Sequence, residues 1–220
     1  MAFCNRRAAV LLSLAVSSAF AQQPKQPAAP IVQPGAPGKS TKKVSTAAVK
    51  SAPKRTPAEA DVYFMQGMIH HHAQAVEMVD LLRTHGESKA LHDLGERMTV
   101  SQSDEINYMK QWLTERGKPT MMPHNHAAMA GGGMAMPLMP GMLTPEQMAA
   151  LAKARSSEFD KLFLTGMIQH HTGALIMVED LFDVPGAGQD AALFDFATDI
   201  DNTQRAEINI MQGMLAKEKK

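Results

Sequence analysis

Cysteine is nearly absent from this 220-residue chain, and its one copy, Cys4, sits in a leading apolar segment. Once that segment is removed, the chain can form no disulfide and offers no thiolate, whatever its redox compartment. Any soft-metal ligation therefore falls to methionine sulfur and histidine nitrogen. Aromatic residues are scarce too, with eight Phe, two Tyr and one Trp against eighteen Met. No Glu-x-x-His occurs anywhere, which counts against the carboxylate-rich di-iron chemistry of helical bundles. No serine stands in a recognisable nucleophile motif, so a hydrolytic triad is not indicated. Strand-like alternation bounded by hairpin turns is also missing, and the fold class expected is all-α.

Long apolar runs are confined to the start. Arg6 and Arg7 precede an apolar stretch from Ala8 to Phe20, and Ala19-Phe20-Ala21 has the small-x-small form of a signal peptidase site. This predicts an export signal over 1–21, by the general secretory or twin-arginine route, and a periplasmic or secreted protein with no transmembrane anchor after cleavage. Acids are lacking from residues 22–55, where seven Lys or Arg stand among Pro, Ala, Gln and Ser. That composition buries too little apolar surface to offset its ordering entropy and reads as a disordered basic linker. From Thr56 onward 22 acids face 13 basic residues, a formal charge of −9. An acidic body is a poor partner for nucleic acid and an acceptable one for cations.

Thr56-Pro57-Ala58-Glu59 opens the ordered part with a capping pattern. Residues recurring at three-to-four spacing predict a first helix to about Thr84, and a second spans about 87–115. Leu91, Leu94, Met98, Gln102, Glu105, Met109 and Trp112 face inward on the second. A Met-, Gly-, Pro- and His-rich loop covers 117–143. Thr144-Pro145-Glu146-Gln147 repeats the capping logic and starts a short helix. Two long helices follow, about 156–182 and 189–217, with Leu193, Phe196, Ile200, Gln204, Glu207, Met211 and Met214 inward on the last.

The chain repeats itself. A shift of 99 residues carries Asp61, Phe64, Gly67, Met68, His71, His72, Ala75 and Met78 onto Asp160, Phe163, Gly166, Met167, His170, His171, Ala174 and Met177. A shift of 102 carries Gln102, Glu105 and Met109 onto Gln204, Glu207 and Met211. Each half is an αα-hairpin (56–116 and 144–220) with an apolar stripe it cannot bury alone. Two hairpins together predict a four-helix bundle with a pseudo-two-fold axis over 56–220.

On a helix, Met68 stacks with His71 and His72 at three and four residues, and Met167 does the same with His170 and His171. Antiparallel pairing brings these imidazoles within about a turn of Gln102 and Glu105, or of Gln204 and Glu207. Buried imidazoles and carboxylates are costly unless paired or metal-bound. Met68, His71, His72 and Met78, their repeats Met167, His170, His171 and Met177, and the added thioethers Met109 and Met211 are therefore candidate ligands. Asp61, Gln102, Glu105, Asp160, Gln204 and Glu207 are candidates for orienting the imidazoles, with capping or core hydrogen bonding as the alternative. His70, about 100° away from His71, is expected at the surface. In the loop, Met121, Met122, Met129, Met134, Met136, Met139 and Met142, with His124 and His126, fall within 22 residues where no core is expected to need them. Thioethers select Cu(I) or Ag(I), and imidazoles serve either copper oxidation state; Cu(I) is favoured here, with Ag(I) a non-physiological ligand.

The pattern Met-Ile-x-His-His-x-x-Ala, with Asp seven residues before the Met and Met three after the Ala, resembles the CopM-like family, long known only as a domain of unknown function. Both halves match it. The resemblance implies a ferritin-like four-helix fold, export, and copper binding through Met and His in a chaperone, buffer or resistance factor without turnover. The x position, often Pro in that family, is His70 in one half and Gln169 in the other, so the two sites are expected to differ. Two further readings stay open: a metal-dependent oxidase on the same bundle, and a structural or partner-binding bundle whose histidines are satisfied by hydrogen bonds. A homodimer with exchanged hairpins, and a copper-exporting or copper-accepting partner, also stay open.

Overall fold

The computed structural model describes residues 31–33, 42–44, 56–122 and 138–217. The chain divides into two units at Lys54/Arg55. In the first, β1 (Ile31–Gln33) pairs antiparallel with β2 (Lys42–Val44), Ile31 opposite Val44. The composition predicts no regular structure there. Ile31, Val32 and Val44 are β-branched, and that local preference for the pleated backbone accounts for the departure. The rest of the expected 22–55 linker, and the expected export signal over 1–21, lie outside the described residues.

The second unit is all helix: α1 (Glu59–His85), α2 (Lys89–Glu115), α3 (Pro145–Lys153), α4 (Ser156–Asp183) and α5 (Ala191–Lys217). α1 packs on α2, α4 on α5, and the hairpins meet through α1 and α4. The four long helices begin and end close to where periodicity and capping place them. Thr144 caps α3 as expected: its hydroxyl accepts from Gln147 N–H, and the Gln147 side chain accepts from Thr144 N–H at 2.8 Å. At α1 the expected cap moves. Ala58 is the N-cap, and Asp61 rather than Glu59 accepts the backbone N–H of Ala58, at 2.9 Å. Among the described residues no helix is long and apolar enough to cross a membrane.

Apolar side chains fall into two clusters, one toward each end of the bundle. Phe64, Met68, Met109, Trp112, Met177, Leu193 and Ile200 belong to one. Met78, Leu82, Leu94, Met98, Phe163, Met167 and Met211 belong to the other. Along every long helix the change of cluster falls at polar residues: His71 and His72 on α1, Gln102 on α2, His170 and His171 on α4, Gln204 on α5. A buried polar layer therefore crosses the middle of the core.

Candidate metal centre

His71, His72 and His171 are fully buried and His170 nearly so. Each imidazole uses Nε2 against an oxygen. His72 bonds Glu105 Oε2 at 2.6 Å, and His171 bonds Glu207 Oε2 at 2.7 Å, so each hairpin has one His–Glu pair. The other two rings meet between the hairpins. His170 Nε2 reaches the His71 carbonyl at 2.9 Å, and His71 Nε2 reaches the Pro140 carbonyl at 3.0 Å. Their ring centroids are 3.7 Å apart, while each lies 6.2 Å from its sequence neighbour.

A carbonyl or ionised carboxylate oxygen can only accept, so each Nε2 carries a proton, and in a neutral ring the Nδ1 atom is left with a lone pair. All four Nδ1 atoms are buried without a partner among the described residues, as are Gln102 Oε1 and Gln204 Oε1. With the rings neutral, the four Nδ1 atoms and the two glutamine oxygens are six buried acceptors without a partner among the described residues. Such a deficit is costly in a protein interior. A bound cation would relieve it through the nitrogens, whose tautomer the Nε2 contacts already set.

Electrostatics keep the two rings that meet between the hairpins neutral. Burial, reinforced by the neighbouring His72, pushes His71 down to about 3. Burial and the facing His71 hold His170 well below the usual imidazole range. Burial opposes ionisation of Glu105, yet hydrogen bonds from His72 and Ser101 outweigh it and hold the carboxyl below its usual range. His70, expected at the surface, is half-buried, and desolvation lowers its pKa.

The other candidates divide. Met68, Met78, Met109, Met167, Met177 and Met211 are buried on either side of the layer, with Met68 and Met167 one helical turn before the imidazoles. Asp61 and Asp160 do not orient histidines: their bonds go to turns. Asp61 Oδ1 accepts Gly188 N–H at 2.8 Å, and Asp160 accepts the N–H groups of Glu87 and Ser88 at 3.2 and 2.8 Å. Each aspartate at the head of one hairpin pins the turn of the other, the capping alternative realised across the pseudo-two-fold.

The loop needs a correction. Met122, Met139 and Met142 are buried in the apolar cluster that contains Met68 and Met177, so packing does explain these three. A β-carbon at Gly67 would lie 2.5 Å from the Met139 methyl group and 3.1 Å from that of Met122, so its absence makes room for them. Met121 is exposed. His124, His126, Met129, Met134 and Met136 lie outside the described residues.

Sequence reasoning missed the strap formed by Met139–Leu143. Leu143 exchanges two hydrogen bonds with the Gln74 amide, at 2.7 and 3.0 Å, and the Pro140 carbonyl holds His71. A β-carbon at Gly173 would overlap that carbonyl, so only glycine admits the strap there. In the repeat Gly173 aligns with Gln74, so the two residues that hold the strap from either hairpin stand at equivalent positions.

Among the described residues, no three His, Asp or Glu side chains are arranged to hold a metal ion on their own. A complete ligand set therefore needs donors of another kind, and the adjacent thioethers are the nearest in sequence.

The sequence profile of DUF305, a domain of unknown function, matches residues 61–215. The chain belongs to that family. No curated protein matches it. Among solved structures it is similar to a DUF305 protein of Streptomyces coelicolor described as secreted, with 25% identity over 72% of this chain and 93% of that one, TM-score 0.61. A DUF305 fragment from Deinococcus radiodurans gives 27% identity over 74% and 99%, TM-score 0.61. Copper(II)-bound CopM gives 28% identity over 71% and 96%, TM-score 0.54, and CopM has also been solved with Cu(I) bound.

Proposed function

As a member of the DUF305 family similar to CopM, this chain is, we propose, an exported copper-binding protein that holds the ion through imidazole and thioether groups of the central layer. The carrying observation is the set of four buried Nδ1 atoms without a partner among the described residues, each on a ring whose Nε2 is fixed by an oxygen. This is the arrangement of metal-binding histidines, in which the second nitrogen donates to a carboxylate or carbonyl and sets the tautomer. Met68 and Met167 supply the sulfur that favours Cu(I) over harder ions, and neutral imidazole accepts Cu(II) as well. A copper chaperone, buffer or resistance factor needs this and no turnover. Likeness to CopM, which has been solved with both copper oxidation states and with silver, supports the same metals here.

The hydrogen-bonded-bundle reading is favoured by the two His–Glu pairs, which satisfy half of each imidazole without a metal. The readings separate by loading the exported chain with Cu(I) against a competing chelator. A variant with His71, His72, His170 and His171 all changed to Ala should retain markedly less copper, and a Met68→Leu/Met167→Leu variant, which keeps the core volume, should lose Cu(I) more than Cu(II). Equal retention by both variants and wild type would leave the hydrogen-bonded bundle as the better description.

A further inference from the structure

The repeat puts Gly67 on α1 and Gly166 on α4 at equivalent places, and each receives the methyl end of a methionine from the other hairpin. At Gly166 the Met78 methyl lies 3.3 Å from where a β-carbon would stand, and at Gly67 the Met177 methyl lies 3.4 Å away. Residues between the hairpins fill the rest of both spaces, but with different chemistry. Leu143 comes to 3.0 Å at Gly166, whereas Met139 and Met122 come to 2.5 and 3.1 Å at Gly67. One end thus holds a single thioether and a leucine, and the other gathers three thioethers around one point. Packing accounts for the burial at both ends. Leu143 shows that packing does not require sulfur there.

The methionine end is also the accessible one. Met139 and Met177 border a cavity of about 270 Å³ whose lining includes Tyr63, Pro140, Asp180 and Leu181. Tyr63 is 57% exposed, so the mouth reaches solvent, while Met78 at the equivalent end is fully enclosed. The turn that carries Met139 is held in place: its N–H donates to Met142 Sδ at 3.4 Å, and its carbonyl accepts Met142 N–H at 3.1 Å. Among the described residues that line the cavity, Asp180 alone is charged and none is a histidine. Cu(II) or Zn(II) would find there neither nitrogen nor several oxygens to exchange for bound water, whereas thioethers select Cu(I) and Ag(I). Methionine's unbranched, rotatable side chain lets each sulfur turn toward the point where the methyls now meet.

We infer that Met122, Met139 and Met177, gathered at Gly67, form a second soft-ion site that takes Cu(I) or Ag(I) through sulfur alone. It goes beyond the reading above, since it needs none of the four imidazoles and has no use for Cu(II). Two of its three donors, Met122 and Met139, lie outside the repeated helices, so the repeated motif does not supply it. Thioethers carry no proton to displace, and the site should therefore fill without the proton release that accompanies binding to titrating ligands.

The test is ¹H–¹³C correlation of methyl-labelled methionine in the exported chain, titrated separately with Ag(I) and with Zn(II), with bound Ag(I) counted at equilibrium. With Ag(I), the ε-methyl resonances of Met122, Met139 and Met177 should move together over the same addition. With Zn(II), which suits imidazole and not thioether, they should stay. A Met122→Leu/Met139→Leu/Met177→Leu variant, which keeps the core volume, should bind one Ag(I) fewer, and a folded variant with the four layer histidines changed to Ala should still show the methyl shifts. Three methyls unmoved at saturating Ag(I), or undiminished Ag(I) in the leucine variant, overturn the site whatever the histidine layer binds. Equal movement with Zn(II) also overturns it, because the shift would then be passed on from the imidazoles. Methyl shifts that persist in a histidine variant retaining as much copper as wild type uphold this site and remove the histidine layer instead.

Discussion

His71 and His170 face each other across the hairpin interface at 3.7 Å between centroids, one ring bonded to the other's backbone carbonyl. Two imidazoles at that spacing cannot both carry charge, and burial keeps them neutral. The centre of the bundle is consequently a pair of uncharged nitrogen bases, and the acid response of the fold depends on them.

Stability of the metal-free chain should fall as pH drops below about 6.5. His71 is lowered to about 3 and His170 is lowered in the same direction, so the unfolded chain takes up protons that the folded one refuses. Their contribution is fully present above the unfolded value and is lost as pH falls toward the folded one, at about 1.4 kcal/mol per pH unit for each histidine. Urea unfolding between pH 7.5 and 4.5 checks this. A His71→Gln/His170→Gln variant should have a flatter profile, and a wild-type profile that is flat from pH 7 to 5 would contradict it.

Asp160 accepts two backbone N–H groups of the α1–α2 turn while 1% exposed. Its replacement by Ala should destabilise the bundle by about 2–3 kcal/mol, since hydrogen bonds to a charged group are lost and the N–H groups are left bare. Asp61→Ala, which frees the N–H of Gly188, should cost a similar amount. Thermal melts should shift down by several degrees in both, at about 2–4 °C per kcal/mol for a domain of this size. Unchanged melting would mean that the cross-hairpin pins are incidental.

Gly173→Ala should displace the strap without dissolving the bundle. The new methyl competes with the Pro140 carbonyl, and overpacking of this kind costs about 1–3 kcal/mol. Amide exchange in 138–143 should accelerate while the helix cores stay protected. Gln74→Ala, which removes both bonds to Leu143, should loosen the same segment by a different route. Protection of 138–143 equal to wild type in both variants would show that the strap is held elsewhere.

The architecture was largely legible because it is written in periodicity and repetition. Inward residues from Leu91 to Trp112 and from Leu193 to Met211 are buried, apart from Glu105 and Glu207, which reach the edge of the layer. The nearness of the α1 imidazoles to Glu105, though not the choice of His72 as its partner, followed from antiparallel register. Three things did not. The stacking of His71 on His170 depends on how the hairpins dock, which no spacing within one hairpin encodes. Asp61 and Asp160 act across hairpins for the same reason. Met122, Met139 and Met142 looked surplus because the strap that brings them into the core returns through a loop with no periodicity to read.

Glu105→Ala and Glu207→Ala should each lower copper affinity by about tenfold to a hundredfold, the usual effect of removing the group that orients a metal-binding imidazole. The carboxylates are not proposed as ligands, so stoichiometry should be preserved. Competition titration checks both quantities. A lost equivalent of copper with Glu105→Ala would make that carboxylate a ligand and alter the proposed donor set.

The central claim, that four imidazoles stand protonated at Nε2 and open at Nδ1 for a soft ion, is tested most directly by long-range ¹H–¹⁵N correlation spectra of the histidine rings. Spectra would be recorded without metal and after titration with diamagnetic Ag(I) or Cu(I). The metal-free protein should show His71, His72, His170 and His171 as Nε2–H tautomers. On titration, Nδ1 resonances of these rings should move while their Nε2 protons stay. Nδ1–H tautomers in the free protein, or Nδ1 resonances unmoved by saturating metal, would contradict the account.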